Sequence, residues 1–445
     1  MKSVHFIGIG GIGMSGLARI LLKRGCMVTG SDASCNPQVE SLKDLGARIA
    51  CGHNAVNVPT GATVVYSTAI KEDNPEYCAA LAQGCPLMHR SDLLNELMQE
   101  QRVLAVTGTH GKTSSSGLLA TTLVEAGFDP SFAVGGVIPQ LGVNADGGEG
   151  KYFVIEADES DGSFTKYTPF GAIVTNIDAD HMDHFGTNEA LESAFVTFVD
   201  RVQSDDHLFW CGDDARLKGL VERGHSYGFA EENGLRIKAL RTEGWSQLLD
   251  IDFEGKCYDN VELTMPGQHN ALNALAVFGL AIKAGVNEES IRKSFSSFKG
   301  VCRRCEKKGE VNGIVVLDDY AHHPTEIGAM LKAMRQAVGK RRVVALYQPH
   351  RYSRTKNCMG SFGTVFDSAD QVFITDIYAA GESPIEGVSG EVVAKEVSHS
   401  YIPRDRLVEC CMETVQPGDL VVTIGAGDIT CVGSELVERL QEGMK

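Results

Sequence analysis

Val106-Thr107-Gly108-Thr109-His110-Gly111-Lys112-Thr113 is the stretch on which the reading of this 445-residue chain turns. Val103, Leu104 and Val106 form an apolar strand ahead of it, and a helix of small residues follows from Lys112. A strand, a glycine loop, Lys-Thr and a helix, in that order, are what a nucleotide triphosphate requires. Gly108 and Gly111 let backbone N–H groups approach phosphate oxygens, and the helix turns its positive end toward them. Lys112 adds a point charge near the β and γ phosphates, and the Thr113 hydroxyl is a ligand for Mg²⁺. The longer form of this motif has glycine at position 106, where Val106 stands, so the loop is a shortened variant. The expected ligand is ATP.

Working outward, strand-plus-turn units recur on both sides. Val4-His5-Phe6-Ile7 runs into Gly8-Ile9-Gly10-Gly11-Ile12-Gly13, a helix is expected over Met14–Lys23, and Val28-Thr29-Gly30-Ser31-Asp32 follows as a second strand. This is the opening unit of a doubly wound sheet, with a diphosphate at its first turn. Asp32 stands where an acid accepts from a ribose or base. Val64–Ile70 is a later strand with polar residues, Ser67 among them, at its tip. Beyond the phosphate loop, Tyr152–Glu156 leads into Asp158-Glu159-Ser160-Asp161, and Ala172–Ile177 leads into Asp178-Ala179-Asp180-His181-Met182-Asp183-His184. Carboxylates and an imidazole arriving at strand tips beside phosphates suit Mg²⁺–ATP. The cluster at 178–184 also fits a solvated acidic loop. Pro266-Gly267-Gln268-His269-Asn270-Ala271-Leu272-Asn273 reads as a capped helix start that puts Asn270 and Asn273 on one face.

From about Gly300 a third sheet begins. Ile314–Leu317 ends in Asp318-Asp319-Tyr320-Ala321-His322-His323, and Val343–Leu346 ends in Tyr347-Gln348-Pro349-His350-Arg351-Tyr352-Ser353-Arg354. Val372–Asp376 and Leu420–Gly427 supply further strands. Arg351 and Arg354 form a fork suited to a carboxylate or phosphate. The fold class is α/β with three domains: a Rossmann-like domain over 1–99, a central P-loop domain over 100–300, and a second Rossmann-like domain over 301–445.

Composition narrows the choices further. A net charge of −17 argues against general nucleic-acid binding, so anionic substrates must meet local cations and helix ends. No apolar run reaches the length of a membrane span, and no basic leader with a cleavage site precedes the first strand. Thirteen scattered cysteines suggest reduced thiols in a cytoplasm. Cys302-Arg303-Arg304-Cys305 is a lone pair spacing without a second pair to complete a zinc site.

These motifs together resemble the Mur ligase family, ATP-dependent amide-bond-forming enzymes of bacterial cell-wall synthesis, over essentially the whole chain. Gly8-Ile9-Gly10-Gly11-Ile12-Gly13-Met14-Ser15-Gly16, Gly108–Thr113, Glu156-Ala157-Asp158-Glu159-Ser160-Asp161, Asp319–Pro324, Gln348–Tyr352 and Tyr378-Ala379-Ala380-Gly381-Glu382 carry it. The similarity is greatest to members that join L-alanine to the carboxylate of UDP-N-acetylmuramate through an acyl phosphate, in peptidoglycan precursor synthesis. It implies that the UDP-sugar lies at Gly10, Gly11, Ile12 and Gly13 with Ser31, Asp32, Ser67 and Arg90. ATP is implied at Gly108, Thr109, His110, Gly111, Lys112 and Thr113, with His269, Asn270 and Asn273 at adenine, Arg304 at a phosphate and Asp319 at the ribose. Thr113, Glu156 and His181 are the implied magnesium ligands. His323, Arg351 and Arg354 would surround the acceptor carboxylate or the amino acid. Lys112, Glu156, His181, His323 and Arg351 are the expected catalytic set.

One departure stands out. Several family members carry a carbamylated lysine shortly after the metal histidine, and no lysine occurs between His181 and Arg201. Alternatives remain at this point. A ligase that attaches a recycled tripeptide to the same UDP-sugar shares nearly every motif, and Gly10-Gly11-Ile12-Gly13 is the feature that separates them. A nicotinamide-dependent oxidoreductase would explain the first unit alone and leave Lys112 and Glu156 without a role. A nucleotide-gated binding protein would bind ATP without releasing phosphate.

Overall fold

The computed structural model describes residues 2–180 and 182–443, so His181, an expected metal ligand, lies outside the described residues. The chain forms two compact units. One comprises Met1–Lys238, Asp250–Asp259 and Leu272–Phe298; the other comprises Ala239–Leu249, Asn260–Ala271 and Lys299–Lys445. Among the described residues three sheets are present; the first unit holds 1–99 and most of 100–300, and the second holds 239–249 and 260–271 together with the residues from 299 onward.

The first sheet is parallel throughout, in the spatial order Arg48–Cys51, Met27–Asp32, Ser3–Ile7, Thr63–Tyr66, Leu87–His89. Val4, Phe6 and Ile7 are fully buried because a central parallel strand is covered on both faces, which is why it reads as a continuous apolar run. Strand order reverses at Ser3–Ile7, so the glycine turn leaves the sheet at the switch point where such folds bind ligands. The glycine-turn helix spans Ile12–Lys23, starting two residues before the sequence expectation. The strand expected over 64–70 ends earlier, at Tyr66.

The second sheet has ten strands. The P-loop strand Arg102–Thr107 lies between Tyr152–Glu156 and Gly171–Val174, all parallel. Register sets Glu156 level with Val106 and Val174 level with Thr107, so a carboxylate and the chain from 175 onward both emerge beside the glycine loop. On the Glu156 side the sheet ends in the antiparallel hairpin Ser131–Ile138 and Val143–Asp146. On the other side it continues through Leu208–Cys211 and His225–Gly228 to Leu235–Glu243, Ser246–Phe253 and Lys256–Leu263.

The third sheet, in the second unit, runs Glu306–Val311, Ile314–Asp319, Leu420–Ile424, Val343–Tyr347, Gln371–Ile374, Ser400–Tyr401. Only its first pair is antiparallel. Alternation divides each strand between two cores. Val315 and Leu317 pack with Ile327, Leu331 and Met334 of the helix Pro324–Val338, while Ile314 and Val316 pack with Val432 and Leu436 of Ile429–Glu442. All thirteen cysteines are free thiols. Among the described residues no helix is long and apolar enough to cross a membrane.

Candidate active site

The phosphate loop owes its shape to two glycines and to the strand end beside it. Gly108 and Gly111 have φ of 126° and 86°, in the region that disfavours side chains. A Cβ on Gly111 would stand 2.6 Å from the Asn273 carboxamide oxygen, so the expected adenine-side residue Asn273 packs directly on the loop. Thr175 and Asn176, just past Val174, clamp it: the Thr175 hydroxyl and the Asn176 amide donate to the His110 carbonyl at 2.6 and 3.0 Å. The His110 N–H donates back to Asn176 Oδ1 at 2.9 Å, and the Asp178 N–H donates to the Thr109 hydroxyl at 2.9 Å. The P-loop helix Lys112–Glu125 follows directly on Gly111, its N-cap.

Lys112 lies against the loop it belongs to. Its ammonium donates to the carbonyls of Gly108 (2.7 Å) and Thr109 (3.0 Å) and pairs with Glu159 at 2.7 Å. Burial works to lower the lysine pKa, but Glu159, Asp158 and Glu156 outweigh it and the net shift is upward. Burial pushes the fully enclosed Glu159 up to about 7, against the pull of Lys112. Both partners shift upward for different reasons: neighbouring carboxylates raise Lys112, and burial raises Glu159. Lys112 therefore stays charged.

Beside it, Glu156 Oε1 accepts from the Thr113 hydroxyl at 2.9 Å, and Oε2 accepts from the Gly135 N–H at 2.7 Å. Two of the three expected magnesium ligands thus adjoin, offering a carboxylate and a hydroxyl. Such hard oxygen donors at the start of a phosphate-binding helix fit Mg²⁺, which keeps few protein ligands and takes phosphates and waters for the rest.

Asp32 and Asn36 shape the first glycine turn. Asp32 Oδ2 accepts from the Gly10 N–H at 2.8 Å, and the Asn36 amide donates to the Gly10 carbonyl at 3.0 Å. A Cβ on Gly10 would strike both side chains, at 2.8–2.9 Å. Arg90 approaches Gly13, where a Cβ would meet its guanidinium at 3.2 Å, so a cation adjoins the start of the glycine-turn helix. Ser31 faces inward instead, donating to Glu76 at 2.6 Å and bonding His53 at 2.8 Å. Sequence reasoning passed over Glu76. Its burial works to raise the pKa, but bonds from His5, Ser31, Asn57 and the Asn54 N–H hold it at about 2. Ser67 follows the strand Thr63–Tyr66.

The second unit carries the remaining expected residues. Arg351 donates to Glu382 at 2.6 Å, and Ser353 fixes the same carboxylate with its N–H at 2.9 Å and hydroxyl at 2.6 Å. These bonds outweigh burial and hold Glu382 at about 2. Arg354 bonds the His350 ring at 3.3 Å, and that ring stacks on Tyr378 with centroids 5.6 Å apart. Burial, then His322, Arg354 and Arg351, push His350 down to about 4, so it is neutral at pH 7. His323 precedes the helix Pro324–Val338, where Glu326 accepts the N–H groups of His322 and His323 at 3.1 and 3.4 Å. Asp319 is buried, its oxygens accepting from the Cys305 and Ala321 N–H groups, each at 2.8 Å. The Cys305 thiol bonds the same carboxylate at 3.3 Å, which accounts for one half of the Cys302/Cys305 spacing. Arg304 lies over Tyr320, 5.1 Å from the ring centroid. Asn270 donates to the Pro266 carbonyl at 2.8 Å, and burial pushes His269 down to about 4.

Comparison with known proteins covers this whole layout. Residues 3–102 match the Mur ligase family catalytic domain, 106–281 the Mur ligase middle domain, and 303–427 the Mur ligase glutamate ligase domain. The chain is 50% identical to the UDP-N-acetylmuramate–L-alanine ligase of Protochlamydia amoebophila, over 99% of each chain. It superposes on the crystal structure of the UDP-N-acetylmuramate–alanine ligase of Thermotoga maritima with a TM-score of 0.86 at 27% identity, covering all of both chains. A murein peptide ligase from Psychrobacter arcticus gives 0.72 at 24% identity over 99% of both chains, a likeness of fold alone. From its first glycine turn to its last sheet, the chain belongs to the Mur ligase family.

Proposed function

We propose that the protein joins L-alanine to the carboxylate of UDP-N-acetylmuramate at the expense of ATP, as a step of peptidoglycan precursor synthesis in the cytoplasm. The observation that carries this reading is the group formed by Lys112, Thr113 and Glu156 at the start of the P-loop helix. Full-length identity of 50% to a relative bearing that activity in its name supports the choice of substrates. It also exceeds the likeness to solved murein peptide ligases, at 24% and 30% identity, and so favours this reading over the tripeptide-recycling ligase.

A carboxylate does not acylate an amine in water because its leaving group would be oxide. Phosphorylation removes that obstacle. A muramoyl carboxylate oxygen attacks the γ phosphorus and ADP departs; the amine, having lost the proton of its ammonium form, then attacks the acyl carbon, and phosphate leaves carrying the second N–H proton. Such transfers need positioning and charge neutralisation more than covalent catalysis. Lys112 and the N–H groups of Gly108–Thr113 neutralise and orient the phosphates. Glu156 and Thr113, with His181, would hold magnesium, which when bound offsets charge on the phosphate oxygens. Gly10, Gly11, Ile12 and Gly13 with Arg90 hold the UDP diphosphate, Asp32 supports that turn, Ser67 completes its border, and the buried Ser31 acts from behind it by holding Glu76. Thr109 and His110 shape the phosphate loop; His269, Asn270 and Asn273 serve adenine; Arg304 serves a phosphate, Asp319 the ribose. Arg351, Arg354 and His323 receive the carboxylates. Domain boundaries near 99 and 300 follow from the same assignment.

The test is isotopic. With UDP-N-acetylmuramate labelled with ¹⁸O in its carboxylate, ATP and L-alanine, one labelled oxygen must leave in inorganic phosphate. Amide formation without label in phosphate would overturn the acyl phosphate, and phosphate release independent of L-alanine would make the protein an ATPase.

A further inference from the structure

The glycine turn and Glu156 are bridged by one side chain, Asn144, on the strand Val143–Asp146. Its buried amide donates to the carbonyl of Ile12 at 2.9 Å and to that of Val134 at 3.4 Å. Ile12 is the first residue of the helix behind the glycine turn. Val134 immediately precedes Gly135, whose N–H holds Glu156, which in turn accepts from Thr113. Packing leaves little slack at either end. A Cβ on Gly16 would stand 2.8 Å from Ala145 and 3.1 Å from the Asn144 amide, and one on Gly135 would stand 2.7 Å from both Glu156 oxygens.

We propose that Asn144 is a positioning residue that couples occupancy of the glycine turn to the placement of Glu156, so that UDP-sugar and magnesium nucleotide bind with mutual dependence. This rests on the function proposed above. A diphosphate drawn to the N–H groups of residues 10–13 shifts the first turn of the helix, and the Ile12 carbonyl with it. One planar amide serves both carbonyls, so its reorientation at Ile12 changes its hold on Val134 and hence the angle of the Gly135 N–H. Coupling of this kind is reciprocal: each ligand alters the affinity of the other by the same factor. Asp146, two residues along, pairs with Lys23 at 2.5 Å near the far end of the same helix and touches neither site. It provides a control that fastens the same elements without the bridge.

Calorimetric titration of the full-length protein with Mg–AMPPNP, with and without saturating UDP-N-acetylmuramate, reads the coupling. The wild type should show a factor of at least about five in nucleotide affinity. Asn144→Ala should bring that factor to within about twofold of unity while each ligand alone keeps its affinity within about threefold. Asp146→Asn should keep the wild-type factor. Should Asn144→Ala fail to fold, Asn144→Ser, whose hydroxyl is too short to serve both carbonyls, carries the same expectation. Retention of the full factor in the Asn144 variants, or a wild-type factor of one with both ligands bound, would overturn the coupling. Failure of the wild type to bind UDP-N-acetylmuramate at all would instead overturn the function on which it rests.

Discussion

Replacing Lys112 by methionine tests an enclosed charge pair of the site in two ways at once. Lys112 is 11% exposed and its partner Glu159 0%, so the variant strands a carboxylate away from water. Removing one member of such a pair costs about 3–5 kcal/mol when the other stays ionised. Glu159 has an escape. Its pKa already stands at about 7 beside the lysine, above the ordinary 4.5, and rises further without it. A folded-state pKa above the unfolded value means that stability is present at low pH and lost as pH climbs through the folded pKa. At pH 6 the carboxyl of the variant is protonated, and the cost falls to the lost bonds to Gly108 and Thr109, about 1–2 kcal/mol. For a domain of this size the melting point should drop by roughly 10 °C at pH 8.5 and by roughly 4 °C at pH 6. Lys112→Met/Glu159→Gln should regain most of the stability and lose the pH dependence, yet remain at least about a hundredfold down in phosphate release. Thermal unfolding followed by circular dichroism at the two pH values decides it. A Lys112→Met protein as stable as wild type at pH 8.5, or a double variant that recovers activity, would refute the reasoning.

Glu156→Gln keeps shape but loses the anionic oxygen, so activity should fall by about 10- to 100-fold and the magnesium concentration for half-maximal rate should rise. A rate measured against Mg²⁺ that half-saturates where the wild type does would move the metal elsewhere. Arg90→Ala should weaken UDP-N-acetylmuramate binding by about 10- to 100-fold in calorimetry while ATP binding is unchanged. NAD binding to the wild type at the first turn would count against the whole assignment. In the second unit, His350 sits at about 4 against an ordinary 6.5. Stability it contributes is present above pH 6.5 and lost as pH falls toward 4. Unfolding of wild type should therefore become easier over that window, and His350→Gln should flatten the slope; equal slopes would show that other groups set it.

The parts legible in the sequence are those whose cause is local. Val103–Val106 followed by Gly108 and Gly111 fixes a buried strand, a loop with positive φ and a helix start within ten residues, and the helix begins at Lys112 as expected. Residues 246–253 form a strand that the sequence reading omits, although Gln247, Leu249, Ile251 and Phe253 alternate inward after the turn at Gly244, because that inward row opens on a polar residue and Asp250 and Asp252 break the apolar run. The site divides the same way. Thr113 and Glu156 were legible as an adjoining pair because both stand at strand or helix ends beside one loop. Asn144, Gly135 and Glu76 were not, since their importance comes from partners many residues away and each looks ordinary in its own stretch. Arg351 and Arg354 were read as a fork; the structure engages them with Glu382 and His350, contacts that spacing does not disclose.

The strand Val143–Asp146 is the last of its sheet, and the glycine-turn helix lies against it. An outermost strand carries backbone donors and acceptors without a neighbouring strand and is a template for pairing between molecules. The glycine-turn helix thus doubles as a cover for the end of that sheet. Cutting the chain ahead of residue 102 to isolate the nucleotide-binding part would uncover the Ala145 contact and a row of backbone groups. Such a fragment should associate through that edge in a concentration-dependent way, whatever its affinity for ATP. On this account the first hundred residues keep the last strand of the second sheet covered within one molecule.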